Sequence, residues 1–316
     1  MTEQNQNDKT AQKQTEKLPK AVKTSAENWL NKHIKDRGRN WSFADIEQAL
    51  EEYAQTVTSG TFRRMRNDLE RYYCVKAKQY PQMKNVSAKI AKIQNPVPVD
   101  QRKKKPVKCK TVKEDDFEKL MLKVLQKQDE ELMAALIGVK ITGARPCELH
   151  TIKMFQGDAG ETVIRIKGGK EAVIQGKQRG FTGPREIIML DKKDIAYMKM
   201  AIPILKNLKS TKLNNTQRRL TDVTKKLWPR RKKRPTLKSF RHQLGSDLKA
   251  SGLSEDERSA IMGHKSQDSI SVYGYRNSGK NRSLKPTDKT IAQVKLEKTT
   301  GRHKSARNMH SRNGFR

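Results

Sequence analysis

The chain has 316 residues, with 69 Lys and Arg against 34 Asp and Glu, and therefore a formal net charge of +35. A positive excess of this size goes beyond what solubility requires and favours a polyanionic partner, because binding to a polyanion releases its counterions. We expect no membrane span, since the longest apolar run, 132–139, is too short to cross a bilayer and no basic amphipathic helix is evident. Nucleic acid is thus the predicted partner, and the polar N-terminus predicts no secretory signal.

Cysteine usage predicts a reducing compartment. The three cysteines, Cys74, Cys109 and Cys147, are odd in number and lack a CxxC spacing, which argues against a disulfide framework or a structural zinc site. Cys147 is predicted to be a small buried thiol rather than a reactive one. We therefore expect a cytoplasmic protein that uses no metal and no other cofactor.

The first part of the chain predicts a polar tail followed by a small helical domain. Residues 1–22 are rich in Gln, Lys, Asn and Thr and poor in apolar groups, so a disordered tail is expected there. At 23–95 the apolar residues recur at helical spacing, which predicts an all-α domain. The predicted helices begin near Ala26 and otherwise span 42–53, 61–75 and 87–93. With this net charge, the arginines on their outer faces are interpreted as phosphate contacts.

A basic linker is predicted at 96–111. Asn95-Pro96 and Val97-Pro98 disfavour a helix, and the four consecutive cations at 102–105 extend the chain by mutual repulsion. This segment is the clearest domain boundary in the sequence. We expect it to join two lobes that both contact DNA.

A mixed domain is predicted at 112–276, in which helices surround a small antiparallel β-sheet. Thr142-Gly143 turns the chain before Pro146, a residue that the first turn of a helix tolerates, and Ser254 with Glu257 forms a capping box for a helix that ends at Gly263. The predicted helices span 112–125, 130–139, 194–208 and 216–227, and the predicted strands span 162–166, 172–174 and 186–190. A basic C-terminal tail follows at 277–316, with a short helix near 290–296. The fold class is therefore α+β and mostly helical.

Two stretches carry side chains suited to one reaction. The first is 141–149, which contains Arg145, and the second contains Arg241, His264 and Tyr273. A guanidinium can bind two phosphate oxygens at once, and a phenol can attack phosphorus and later leave again. Together these groups predict metal-free cutting and rejoining of a phosphodiester.

These residues resemble the tyrosine recombinase (phage integrase) family. The family's first box, close to T-G-x-R-x-x-E-L, is matched by 142–149. Its second box, an arginine, an [L/I]-G-H/W element and a tyrosine, is matched by Arg241, Gly263-His264 and Tyr273, with 23 residues from Arg241 to His264 and nine from His264 to Tyr273. The resemblance covers roughly 23–276. It implies a core-binding domain at 23–95 and a catalytic domain at 112–276.

The resemblance also implies a role for each matched residue. Arg145 and Arg241 would bind the scissile phosphate, and His264 would donate a hydrogen bond to a non-bridging oxygen. Tyr273 would form a 3′-phosphotyrosyl bond with the DNA. Glu148 would support Arg145 without touching the substrate.

The family's site includes a lysine on a β-hairpin that protonates the departing 5′ oxygen. Lys177 is the preferred candidate, because it precedes a turn and the strand predicted at 186–190. Lys167 and Lys170 are alternatives, because the stretch from Arg145 to Lys177 is longer than usual and an inserted hairpin would explain its length.

The chain departs from the family at two positions. Lys238 stands where a histidine is most often found; a lysine can contact the phosphate, but an ammonium group is a poor proton acceptor. Gly274-Tyr275 stands where Thr-His commonly follows the tyrosine, so Tyr275 is a minor rival nucleophile.

The resemblance implies double-stranded DNA as the substrate, with two protomers on each site and four in the assembly that exchanges strands. It further implies a prokaryotic, phage or mobile-element protein associated with the nucleoid. Two other functions stay open: a non-catalytic DNA-binding protein on the same fold, and relaxation of supercoils in the manner of type IB topoisomerases.

Overall fold

The computed structural model describes residues 18–34, 42–81, 83–104, 107–168, 172–174, 177–179, 183–264 and 273–295, with only the backbone described at 172–174 and 177–179. The chain divides into two compact units, Met1–Pro106 and Val107–Arg316. The division falls inside the segment predicted as a linker, 96–111.

The described part of the first unit is helical, as predicted. Its helices are α1 (Lys20–His33), α2 (Phe43–Thr56), α3 (Ser59–Lys76) and α4 (Met83–Lys92). Leu50, Phe62, Leu69 and Ile90 are fully buried and form the centre of its apolar core. Helix α1 begins at Lys20, so the predicted tail at 1–22 extends too far into the helical domain; residues 1–17 lie outside the described ranges.

Three arginines of α3 are exposed, and one is hydrogen-bonded within the protein. Arg63, Arg64 and Arg71 are exposed, whereas Arg66 donates from Nη1 to the carbonyl of Ile93 at 3.0 Å. Three of the four arginines of this helix are therefore accessible to a phosphate. The fourth, Arg66, connects two segments within the unit.

The second unit contains the predicted small antiparallel sheet. Its four strands are β1 (Lys153–Gln156), β2 (Thr162–Ile166), β5 (Arg185–Met189) and β6 (Leu284–Pro286), in the order β1-β2-β5-β6. Strands β3 (Ala172–Ile174) and β4 (Lys177–Arg179) form a separate two-stranded hairpin between β2 and β5. This hairpin lies in the stretch for which the sequence analysis considered an insertion.

Helices pack around this sheet. They are α5 (Glu114–Gln126), α6 (Glu130–Thr142), α7 (Lys192–Leu205), α8 (Ser210–Leu227), α9 (Leu237–Ala250), α10 (Glu255–Met262) and α11 (Asp288–Lys295), with a 3₁₀ helix at Pro146–Thr151. Nearly every residue of α6 from Leu132 onward is buried, so this helix lies at the centre of the core. The α+β, mostly helical fold class is confirmed.

Several elements differ from the predictions. Helix α9 and strands β1, β4 and β6 were not predicted. Residues 277–295, assigned from the sequence to a basic tail, belong to the second unit: β6 pairs with β5, and Ile291 and Val294 of α11 pack on Ala260. Cys147 is exposed rather than buried. In the described ranges, no helix is both long and apolar enough to cross a membrane.

Candidate active site

Two helix C-termini form the base of the site. Helix α6 ends at Gly143 (φ 60°) and α10 ends at Gly263 (φ 64°), both in the left-handed conformation that a glycine adopts without strain. The carbonyls at these ends accept hydrogen bonds from arginines: Arg241 donates to Gly143 and Met262, and Arg145 donates to Gly263 at 3.3 Å. Because a helix C-terminus carries a partial negative charge, it stabilises buried cations.

Arg241 is positioned by helix α9. Thr236 and Ser239 form a capping box at its start, and Leu237, Phe240, Leu244 and Leu248 bury one face. Arg241 lies on this face and is only 2% exposed. Burial, followed by repulsion from Arg145 and Arg185, lowers the pKa of Arg241. Two backbone carbonyls, of Gly143 and Met262, accept from the guanidinium and offset the cost of burying its charge.

Arg145 is held by Glu148. The Glu148 carboxylate accepts from the side chain of Arg145 and, through Oε2, from its backbone N–H at 2.9 Å. Its Oε2 also accepts from Nη2 of Arg185 at 3.0 Å. Burial alone would raise the pKa of Glu148, but attraction by Arg185, Arg145 and Arg241 lowers it well below its ordinary value. Glu148 is therefore the ionised counter-charge of the cluster.

His264 follows directly after the end of α10. Its Nε2 lies 3.0 Å from Nη2 of Arg241, and since a guanidinium only donates, Nε2 is the acceptor and the neutral ring carries its proton on Nδ1. Burial and repulsion by Arg241, Arg145 and Arg185 lower the pKa of His264 to about 2. Within the described residues, Nδ1 of His264 has no hydrogen-bond partner. The Nδ1–H is therefore a buried donor that no described acceptor satisfies.

The depressed pKa of His264 predicts an acid-sensitive fold. A histidine that is neutral when folded but has an ordinary pKa of about 6.5 when unfolded binds more protons in the unfolded state, so stability falls as the pH drops below that value. From pH 7 to pH 5, we expect the free energy of unfolding of the wild type to fall by about 2 kcal/mol more than that of His264→Gln. Urea unfolding at both pH values measures the difference, and equal losses in the two proteins would contradict it.

Tyr273 lies beside the arginines and between two imidazoles. Its ring centroid is 4.7 Å from that of His242 and 4.8 Å from that of His264, and the guanidinium carbon of Arg241 is 5.2 Å from the ring. Tyr273 can approach α9 this closely because Gly245 has no side chain: a Cβ there would lie 2.8 Å from Cβ of Tyr273. The phenol is half-buried at the rim of the cluster.

Tyr275 is placed differently. Its side chain is 59% exposed, and the ammonium group of Lys110 lies 5.6 Å from its ring. Its backbone N–H donates to Oγ of Ser246 at 2.9 Å, which holds the segment after Tyr273 on α9. Of the two tyrosines, Tyr273 is the one that the fold brings to the arginines.

Of the four lysines considered for the site, two have described side chains and two do not. Lys238 is exposed, one turn before Arg241 on α9. Lys167 is exposed at the end of β2, where its backbone N–H donates to Oγ1 of Thr151 at 3.2 Å. Lys170 lies outside the described residues, and of Lys177 only the backbone, on β4, is described.

Two solved structures are similar to this chain in fold. One is the integrase of transposon Tn1549 in complex with circular intermediate DNA, at 16% sequence identity and a TM-score of 0.51, covering 92% of this chain and 97% of that chain. The other is a lambda integrase dimer bound to a COC′ core site, at 14% identity and a TM-score of 0.50, covering 85% and 75%. This chain has the tyrosine recombinase fold. No family model and no curated protein matches the sequence.

On this tyrosine recombinase fold, four residues predicted from distant parts of the sequence come together: Arg145, Arg241, His264 and Tyr273. Arg185 was not identified from the sequence, although its spacing from the apolar residues of β5 indicates a buried position. Arg185 shares a strand face with the buried residues Ile187 and Met189, so period-two spacing places its charge inside. Across the described residues, no three His, Cys, Asp or Glu side chains form a group that could hold a metal ion.

Proposed function

We propose that this protein is a site-specific DNA recombinase or integrase that cuts and rejoins DNA through a covalent 3′-phosphotyrosyl intermediate. The observation that carries the proposal is the position of Tyr273, whose ring lies 5.2 Å from the guanidinium carbon of Arg241 and 4.8 Å from the His264 ring. Arg145 and Arg241 are held beside it by the carbonyls of Gly143, Met262 and Gly263.

The roles follow from the chemistry of each group. A DNA phosphodiester resists attack because its non-bridging oxygens repel a nucleophile, and the two guanidinium groups neutralise them. His264 donates from Nδ1 to a non-bridging oxygen. The Tyr273 oxygen bonds to phosphorus as its proton is lost to solvent, and the bond to the 5′ oxygen breaks as a lysine protonates the leaving group. A DNA hydroxyl then attacks the phosphotyrosyl ester and restores the strand.

Lys238 is assigned a phosphate contact rather than the role of proton acceptor. Its ammonium group has three donors and no acceptor, and its exposed position one turn before Arg241 suits a contact with DNA. The same departure from the family is the feature that favours a non-catalytic DNA-binding protein as the alternative.

The remaining features of the proposal concern the assembly. Residues 23–95 would form the core-binding domain, and 112–276 with the structured segment 277–295 would form the catalytic domain. Two protomers would bind one recombination site, and four would assemble for strand exchange. The protein would act on the DNA of a prokaryotic cell, a phage or a mobile element.

The test begins with DNA crosslinked to the protein in cells that express it. The enriched site is built into a duplex with a nick beside the cleavage position, so that the cleaved fragment diffuses away and any covalent adduct accumulates. We expect an adduct that survives denaturation and forms in the presence of EDTA. Specific binding without any adduct would overturn the proposal and favour the DNA-binding protein.

Paired sites separate the two enzymatic functions. Recombinant product from two copies of the site supports the recombinase. Relaxation of plasmids that lack the site, without recombinant product, supports the topoisomerase-like activity instead.

A basic loop at 228–235 offers a surface for the DNA backbone. Two of its cations are engaged within the protein: Arg231 pairs with Asp116 at 2.8 and 3.2 Å, and Arg234 donates to the carbonyls of Trp228 and Pro229, each at 3.1 Å. These contacts order the loop. The other three cations, Arg230, Lys232 and Lys233, are exposed where the loop enters α9, the helix of Lys238 and Arg241.

Removing these three exposed cations is predicted to weaken the salt dependence of DNA binding. If each contacts one phosphate, the slope of log K against log salt becomes shallower by about 2.7 in the triple alanine variant at 230, 232 and 233. Binding titrations from 50 to 300 mM salt (roughly the range over which counterion release dominates) measure the slope. The control removes three exposed lysines of α7, Lys192, Lys193 and Lys199. Equal slopes for the loop variant and wild type would contradict the assignment.

A further inference from the structure

Arg185 is a buried arginine that the proposed reaction does not use. It opens strand β5 and its side chain is 1% exposed, against 17% for the side chain of Arg145 and 0% for that of Glu148. Its Nη2 donates to the Glu148 carboxylate at 3.0 Å, and the proposed reaction assigns it no phosphate contact. A buried ion pair is also weak support for stability, since apolar residues of similar volume often serve equally well. Its presence therefore calls for another physical role.

The Glu148 carboxylate connects Arg185 to Arg145. Oε2 accepts from Nη2 of Arg185 at 3.0 Å and from the backbone N–H of Arg145 at 2.9 Å, which leaves Oε1 for the Arg145 guanidinium. If Arg185 were absent, the carboxylate would lose the donor at Oε2 that the guanidinium supplies, and its terminal torsion would be less restrained. The orientation of the Arg145 guanidinium would then be free to change with it.

Arg185 also packs under the turn that ends α10. A Cβ placed on Gly263 would come within 2.8 Å of Nη1 of Arg185, so the guanidinium lies directly against that backbone. The carbonyl of Gly263 is the second acceptor for Arg145, at 3.3 Å, and His264 is the next residue. Arg185 therefore donates to Glu148 and lies against the Gly263 turn, which supplies the second acceptor for Arg145 and presents His264.

We propose that Arg185 is a positioning residue of the cleavage site, which orients the Arg145 guanidinium through Glu148 and through the Gly263 turn. The inference rests on the proposed function. It is supported by the charge of the cluster, in which Glu148 is the carboxylate that faces three arginines, and by the attraction of Arg185, which helps to keep the pKa of that carboxyl low.

The experiment compares single-turnover cleavage by the full-length wild type, Arg185→Lys, Glu148→Gln and the double variant on the nicked duplex. We expect Arg185→Lys to bind the duplex within threefold of wild type but to cleave it about 30-fold more slowly, since a lysine cannot reproduce the fork geometry. Because Arg185 acts partly through Glu148, the loss in the double variant should be smaller than the product of the two single losses. The matched control is Arg165→Lys, which alters the pair between the exposed Arg165 and the buried Glu186 on the same sheet and should leave cleavage unchanged.

The outcomes separate the two proposals. No adduct from the wild type would defeat the proposed function itself. An active wild type with unchanged cleavage in Arg185→Lys, or with losses that multiply fully in the double variant, would overturn the positioning role. If thermal melting shows that Arg185→Lys does not fold, Arg185→Gln replaces it, since its amide keeps one donor toward Glu148, and the same expectations apply.

Discussion

Tyr273→Phe is expected to abolish the covalent protein–DNA adduct, while Tyr275→Phe forms it within about threefold of the wild-type rate. The substitution at 273 removes only the hydroxyl that bonds to phosphorus, and without it no other described phenol lies beside the arginines. The phenyl ring keeps the packing against His242, His264 and Arg241. The loss is therefore chemical, and both variants should bind the duplex as tightly as the wild type.

The measurement is denaturing electrophoresis of labelled nicked duplex after incubation with each variant, with affinity determined in parallel. Tyr275→Phe is the matched control, because it removes the same atom two residues away from an exposed ring. If Tyr273→Phe forms the adduct and Tyr275→Phe does not, then Tyr275 is the nucleophile. That result would also remove the observation on which the proposed function depends.

Local signals in the sequence predicted much of the fold. The Ser254 and Glu257 capping box and the glycine at 263 define α10 as predicted, because both ends of that helix are specified by neighbouring residues. Strand β2 was predicted with its observed ends, since its apolar run is bounded by polar residues and glycines. Where the signal is local, the sequence was sufficient.

The missed elements have weak or obscured local signals. Strand β6 has three residues, one of them Pro286, and is a strand only because it pairs with β5. Helix α9 has apolar residues at helical spacing from Leu237 to Leu248, but the basic segment before it and the charged residues within it obscured the pattern.

The residues of the candidate site also divide into those that the sequence signals and those that it does not. The four residues in the two boxes could be predicted from their register along the chain. The carbonyls of Gly143, Met262 and Gly263 could not, because the sequence does not show that two helices end at the same point in space. Arg185 was missed because an arginine in a sequence is usually a surface charge.

We infer that the leaving-group acid is Lys167 rather than Lys177, from the strand that each lysine follows or occupies. Strand β4, which carries Lys177, pairs with β3 in a hairpin separate from the main sheet. Lys167 instead follows β2 of the main sheet. The Oγ1 of Thr151 accepts from the backbone N–H of Lys167 at 3.2 Å and lies 3.3 Å from the Lys167 carbonyl. The same hydroxyl lies 2.7 Å from the carbonyl of Glu148. Thr151 thus joins Lys167 to the 3₁₀ helix that starts after Arg145.

We therefore expect Lys167→Ala to slow cleavage of ordinary DNA by about 10²–10⁴-fold, the usual contribution of a general acid. A 5′-thiolate leaving group needs no proton, so a duplex with sulfur at the 5′ bridging position should restore cleavage in this variant. Lys170→Ala and Lys177→Ala are the matched controls and should cleave both duplexes at nearly the wild-type rate. If the sulfur-containing duplex rescues Lys177→Ala and not Lys167→Ala, the leaving-group acid is Lys177 on the β3–β4 hairpin, as the sequence predicted.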